Sequence, residues 1–180
     1  MITHDLQQGT QEWHAFRAKH FPASDAAAML GESPFTTRSE LLREKATGVA
    51  REIDSETQRR FDRGHRLEAL ARPLAEEIIG SKLYPVVGSV GRLSASFDGL
   101  TMDESIAFEH KALNDDLRAA FRAIAGGAGQ EALPIYHRAQ MEQQLMISGA
   151  ERVLFMSSSF DADSGLLEQH HCWYTPDDEM

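Results

Sequence analysis

The chain has 180 residues, of which 42% are hydrophobic, and that composition suits one folded domain spanning 1–180 and excludes a disordered chain. No apolar run approaches the roughly 18–20 residues of a bilayer span, and the polar stretch 1–10 lacks the apolar centre of a secretory signal, so the expectation is a cytoplasmic protein with no membrane partner. The single cysteine, Cys172, excludes an internal disulfide and a Cys-only metal site, and a formal net charge of −10 argues against a generic nucleic-acid binder, although a local basic groove can coexist with acidic outer helices.

In chain order, 11–19 reads as a short helix carrying Trp13 and Phe16. Pro22-Ala23-Ser24-Asp25 reads as a turn with Ser24 as the N-cap of a short Ala-rich helix that stops at Gly31. A loop with Pro34 follows over 31–36. Thr37-Arg38-Ser39-Glu40 is a capping box for a helix ending near Gly48, and 49–54 reads as a polar linker. Ser55-Glu56-Thr57-Gln58 is a second capping box. It opens a long helix with Phe61, Leu67, Leu70, Ala71, Leu74 and Ile78 at helical spacing, a kink expected at Pro73, and an end at Gly80.

Strand-like runs then occupy 82–87, 91–97 and 106–113. Asn114 caps a helix that Gly126-Gly127 stops, Pro134 opens another ending near Gly149, and 153–158 and 167–174 are two more strands. This order predicts an α/β domain with one central mixed sheet flanked by helices.

The chemistry concentrates between Phe97 and Lys111. Asp98-Gly99 ends one strand-like run, and Phe108-Glu109-His110-Lys111 lies in the next. Residues i and i+2 of a strand share a face, so Glu109 and Lys111 point the same way, and a hairpin-like turn can set Asp98 beside them. Two carboxylates and an ammonium at one spot call for a cation, and Mg²⁺ takes hard oxygen ligands while keeping positions for water and phosphate. Such an arrangement cuts phosphodiester bonds. Neighbouring acids should raise the pKa of Lys111, which suits it to electrostatics and positioning more than to proton abstraction.

Glu68, on the long helix, is a candidate oxygen ligand, and Gly64 inside that helix, costing about 1 kcal/mol against Ala, suggests a close backbone approach. Arg17 with Ser24 forms a candidate anion site. Gln140 and Gln144, four apart on the Pro134 helix, face either the site or water. His170-His171-Cys172 has the wrong spacing for zinc, and neither a Walker-type loop nor a Gly-x-Ser-x-Gly elbow is present.

Asp98-Gly99 followed by Glu109-His110-Lys111 resembles the signature of PD-(D/E)xK nucleases, with Phe97 where that superfamily often has proline. Gln11-Glu12-Trp13-His14-Ala15-Phe16-Arg17, Pro22-Ala23-Ser24-Asp25, Gly31-Glu32-Ser33-Pro34-Phe35, the 41–48 helix, Gly64 with Glu68, and Ala139-Gln140 are similar, in that order, to lambda exonuclease and the YqaJ-type phage recombination nucleases.

The resemblance implies a restriction-endonuclease-like core and a Mg²⁺-dependent 5′→3′ exonuclease on linear double-stranded DNA, with two ions for which Mn²⁺ can substitute. The product is a 3′ single-stranded overhang for a strand-annealing partner protein. It also implies a ring-shaped homotrimer, phage or prophage encoded and acting in a bacterial cell. By position it makes Asp98, Glu109, Glu68 and the carbonyl of His110 metal ligands and Lys111 the catalytic lysine. Gln140 falls near the attacking water, and Arg17 and Ser24 contact the 5′-phosphate. The C-terminal helices of the family have no counterpart before Met180. A structure-specific endonuclease on the same fold and a catalytically silent DNA-end-binding module are the alternatives.

Overall fold

A mixed seven-stranded sheet lies between helices on its two faces. The structure is a computed structural model and describes residues 1–49, 54–161 and 165–180. Most of the expected 49–54 linker therefore lies outside the described residues.

The strands are β1 (Ile2–His4), β2 (Phe21–Pro22), β3 (Leu83–Val90), β4 (Leu93–Thr101), β5 (Ile106–Ala112), β6 (Arg152–Asp161) and β7 (Gly165–Tyr174). The helices are α1 (Gln11–Lys19), α2 (Ala26–Leu30), α3 (Arg38–Thr47), α4 (Ser55–Ile79), α5 (Asp115–Ala125) and α6 (Ile135–Ser148). The sheet runs β1-β3-β4-β5-β6-β7, with β2 added alongside β4; β5 and β6 are parallel, whereas β3–β4, β4–β5 and β6–β7 are antiparallel.

Strand alternation builds the two faces. Ala107, Val153 and Phe155 point towards α5 and α6, where Leu117, Phe121, Met141 and Leu145 close one core. Phe108, Leu154 and Met156 point the other way and meet Ala71 and Ala75 of α4. The alanines let the helix approach the sheet closely. Each large side chain buried here contributes roughly 1.5–3 kcal/mol.

Local signals set most helix ends. Thr37 and Glu40 form the reciprocal capping box, Asn114 Oδ1 accepts from Leu117 N–H at 2.8 Å, and Gly31, Gly48, Gly80 and Gly149 close helices at positive φ.

Several expectations change. Ser24 does not cap a helix: it sits inside a 3₁₀ turn over Ala23–Asp25, and its hydroxyl accepts from Arg17 instead. The cap of α4 is Asp54, whose carboxylate accepts from Thr57 N–H, so the cap lies one residue before the expected Ser55. The helix continues through Pro73, and Phe61 and Leu70 on it are exposed, at 47% and 53%, because they lie off the stripe that meets the sheet. A Cβ on Gly64 would meet nothing within 4 Å, so no close approach within this chain explains that glycine. The strands β1 and β2 carry no local signal. Their pairing with β3 and β4 supplies the order.

Candidate active site

Asp98 lies inside β4, not in a turn. The reversal comes later, at 102–105, where Asp103 Oδ1 accepts from Thr101 and Ser105. What breaks the strand's regularity at Asp98 is a bulge. Val86 pairs with Phe97 but Tyr84 with Leu100, so Asp98 and Gly99 together oppose Pro85 alone. Gly99 is required by space, since a Cβ there would lie 2.8 Å from Leu83 Cβ.

The other edge of β4 forks. It pairs with β2 at Leu93 and Ser94 and with β5 only at Gly99 and Leu100. Gln143 Nε2 closes the fork by donating to the carbonyls of Phe21 (2.7 Å) and Ser94 (3.1 Å). Where β5 leaves β4, the carboxylate of Asp98 replaces a ladder partner: its Oδ2 accepts from His110 N–H at 2.8 Å. The fork is thus the local reason why Asp98, Glu109 and Lys111 meet.

Glu109 is 1% exposed on a strand buried on both faces. Its Oε1 accepts from Lys111 Nζ at 2.5 Å and from Gln140 Nε2 at 2.7 Å, and its Oε2 accepts from Gln144 Nε2 at 2.6 Å. Opposite, α4 contributes Glu68 and Arg72. Arg72 Nη2 donates to Glu68 Oε1 at 2.6 Å, and its Nε donates to the carbonyl of Asp98 at 2.9 Å.

The electrostatics are strained in one direction. Burial, then Glu109 and Glu68, push the Asp98 carboxyl well above the usual carboxylate range, against Lys111 and the His110 amide. Burial raises Glu68 too, with Glu109 adding to the shift and Arg72 opposing it. Burial acts to lower the Lys111 ammonium, but Glu109, Asp98 and Glu68 outweigh it and the net shift is upward. The Lys111 side chain keeps 31% of its surface at the site's mouth. His110 and His137, buried near that ammonium, are pushed down to about 4 and about 3 and stay neutral.

The structure therefore brings Asp98, Glu109, Lys111, Gln140 and Glu68 into one electrostatic unit, with the backbone of His110 between two of them. The donor set, carboxylates and a strand carbonyl, is the hard-oxygen chemistry of Mg²⁺, and the excess negative charge asks for a cation. Among the described residues no three His, Cys, Asp or Glu side chains encircle an ion unaided. A cation here would complete its shell with water and backbone oxygen, as Mg²⁺ does.

Three residues escaped the sequence reading in part or whole: Arg72, His137 and Gln144. The spacing of His137, Gln140 and Gln144 is the one available signal, since it places all three on one face of α6.

Arg17 and Ser24 form a separate grouping. Arg17 Nη2 donates to Ser24 Oγ at 3.1 Å, lies 3.6 Å from Asp25 Oδ1, and stacks over Trp13. Burial pulls the guanidinium below its ordinary pKa, with Asp25 and Glu44 acting against that. Lys45 pairs with Asp25 at 3.2 Å and fastens α3 to the carbonyls of Arg17 and His20. Elsewhere, His170 bonds Glu168 and stacks on Phe121, while Cys172 packs against the core and its thiol is pushed up to about 12.

The same architecture occurs in known proteins. The alkaline exonuclease LHK-Exo from Laribacter hongkongensis is 24% identical, with a TM-score of 0.68 over 94% of this chain and 84% of its own. Its complex with dAMP matches at 23% identity over the same shares, again with a TM-score of 0.68. A phage-related exonuclease from Haemophilus somnus 129PT is 12% identical, with a TM-score of 0.60 over 89% of this chain and 86% of its own. At these identities the likeness is one of fold. No curated protein sequence matches the chain. The model of the YqaJ-like viral recombinase domain matches residues 12–151, a span that holds the fork, every acid of the site and the Arg17 grouping, and the chain belongs to that family.

Proposed function

We propose that this chain is a Mg²⁺-dependent deoxyribonuclease that degrades linear double-stranded DNA from the 5′ end, leaving 3′ overhangs for a single-strand annealing partner. The observation that carries the reading is the meeting of Asp98, Glu109 and Glu68 with Lys111 at the β4–β5 fork. The dAMP bound by the Laribacter relative supports a site that releases nucleotides.

In this reading Asp98, Glu109, Glu68 and the carbonyl of His110 would hold two cations. Bound Mg²⁺ would polarise the scissile phosphoryl group and acidify an attacking water. Lys111 stays charged, because three carboxylates stabilise its ammonium. It therefore offsets charge on the phosphate and orients the nucleophile without taking a proton. Gln140 uses its Nε2 on Glu109 and keeps its carbonyl oxygen to orient water. Arg17 and Ser24 receive the terminal 5′-phosphate, a dianion that competes with Asp25 for the guanidinium. Arg17 keeps 26% of its side chain exposed and Ser24 is exposed, so a DNA end can reach both.

The test is a linear duplex labelled at either the 5′ or the 3′ end, incubated with Mg²⁺ or with EDTA. Early release of the 5′ label as mononucleotide, no release in EDTA, and intact closed circles are expected. Cutting of closed circles would favour a structure-specific endonuclease. DNA-end binding without any release would favour a silent module.

A further inference from the structure

Gln144 is 0% exposed, on the face of α6 that looks at β5. Its Nε2 donates to Glu109 Oε2 at 2.6 Å, while its own Oε1 is buried without a hydrogen-bond partner. A buried amide whose oxygen has no partner is costly, so Gln144 does more than fill space in the core.

The lone pairs of Glu109 give the arrangement a sense. A carboxylate offers about four acceptor positions, two on each oxygen. Lys111 and Gln140 fill both on Oε1. Gln144 fills one on Oε2, and among the described residues no other donor reaches that oxygen. One position on Glu109 therefore stays open, and the Gln144 amide selects which one. The same amide leaves an acceptor beside it, of the kind a hydrated cation can use.

We infer that Gln144 is a positioning residue for the metal centre: it fixes Glu109 so that a divalent cation is met by a single Oε2 lone pair. This inference rests on the nuclease reading above, and Gln144 itself touches neither DNA nor cation directly through its donor. Groups that orient a metal ligand commonly contribute 10–100-fold to affinity.

Mn²⁺ serves as the probe, its free concentration followed by electron paramagnetic resonance. Gln144→Met keeps length and burial, removes the donor, and also removes the orphaned acceptor. It also leaves the buried Glu109 Oε2 without a donor, so it should melt below wild type in EDTA and bind Mn²⁺ about 10-fold or more weakly. Unchanged Mn²⁺ affinity would overturn the role of Gln144 alone. A wild type that binds no Mn²⁺ would overturn the metal reading and this role together. A second measurement needs no variant: the side-chain amide resonances of Gln144 in ¹⁵N-labelled wild type should move when Mg²⁺ is added. If they stay fixed while the His110 amide moves, Gln144 is structural filling and the inference fails.

Discussion

At the scale of single residues, the site is a set of charges that do not suit one another without a counter-ion. Asp98 carries the largest burden, because burial and two acids lift its pKa. Below about pH 3.8, its ordinary value, both folded and unfolded chains hold the proton and the group is neutral to stability. Above that, the unfolded chain releases its proton first, so the folded state binds more protons and stability falls as pH rises. The loss continues until the raised folded pKa is passed. Asp98→Asn removes this penalty and keeps an acceptor for His110 N–H. In EDTA it should melt at or above wild type, with a margin that widens from pH 5 to pH 8, and it should release no nucleotides. A lower melting temperature at pH 8 would contradict the assigned charge strain.

Lys111 and Arg17 separate chemistry from grip. Lys111→Met should cut single-turnover release by about 10²–10³-fold with little change in DNA affinity, since its ammonium acts on charge that develops during the reaction. A defect confined to affinity would remove that role. Arg17→Ala should lose the advantage of 5′-phosphorylated ends over 5′-hydroxyl ends, an effect of about 10-fold for one charged hydrogen bond. Equal wild-type rates on both ends would reject the phosphate assignment.

At the scale of elements, the bulge and the fork do the positioning. Gly99→Ala sets a Cβ 2.8 Å from Leu83 Cβ, too near the backbone of β3 for a rotamer change to relieve. Overpacking of this kind costs roughly 1–3 kcal/mol. The strands must separate where Asp98 is aimed, so urea unfolding should shift to lower concentration and activity should fall together with it. Full activity in a destabilised variant would show that the bulge is not what aims Asp98.

The same elements show what a sequence reveals. The starts of α3 and α5 were legible, because a cap and its partner lie within four residues: Thr37 with Glu40, Asn114 with Leu117; α6 was bracketed instead by Pro134 and Gly149. The acid-x-lysine pair was legible because strand alternation alone puts Glu109 and Lys111 on one face. The placement of Asp98 within a strand was not, since its bulge arises from Pro85 and Leu83 on another strand. Strands β1 and β2 were hidden for the same reason, having three and two residues that only distant partners order. Gln144 and Arg72 look like any helix polar residue until the sheet beneath them is known.

At the scale of the whole molecule, a net charge of −10 sets a problem for a DNA enzyme. Long-range steering by the total field would repel a polyanion, so contact must be local and retained once made. A lone chain meeting the duplex through Arg17, Lys111 and a pair of cations would have little to hold it between cuts. The ring-shaped homotrimer that the family resemblance implies would solve this by topology: the duplex could not leave without passing an end, whatever the outer charge. If the resemblance extends to assembly, the expected particle is three times 20.0 kDa by sedimentation. Its digestion of a labelled duplex, once begun, should continue when a large excess of unlabelled duplex is added. The trap distinguishes the two cases cleanly, because a monomer would be captured after each dissociation and stop near its starting length. A monomeric particle, or digestion that halts at the moment of trapping, would refute the ring and require some other feature of this acidic chain to keep the DNA in place.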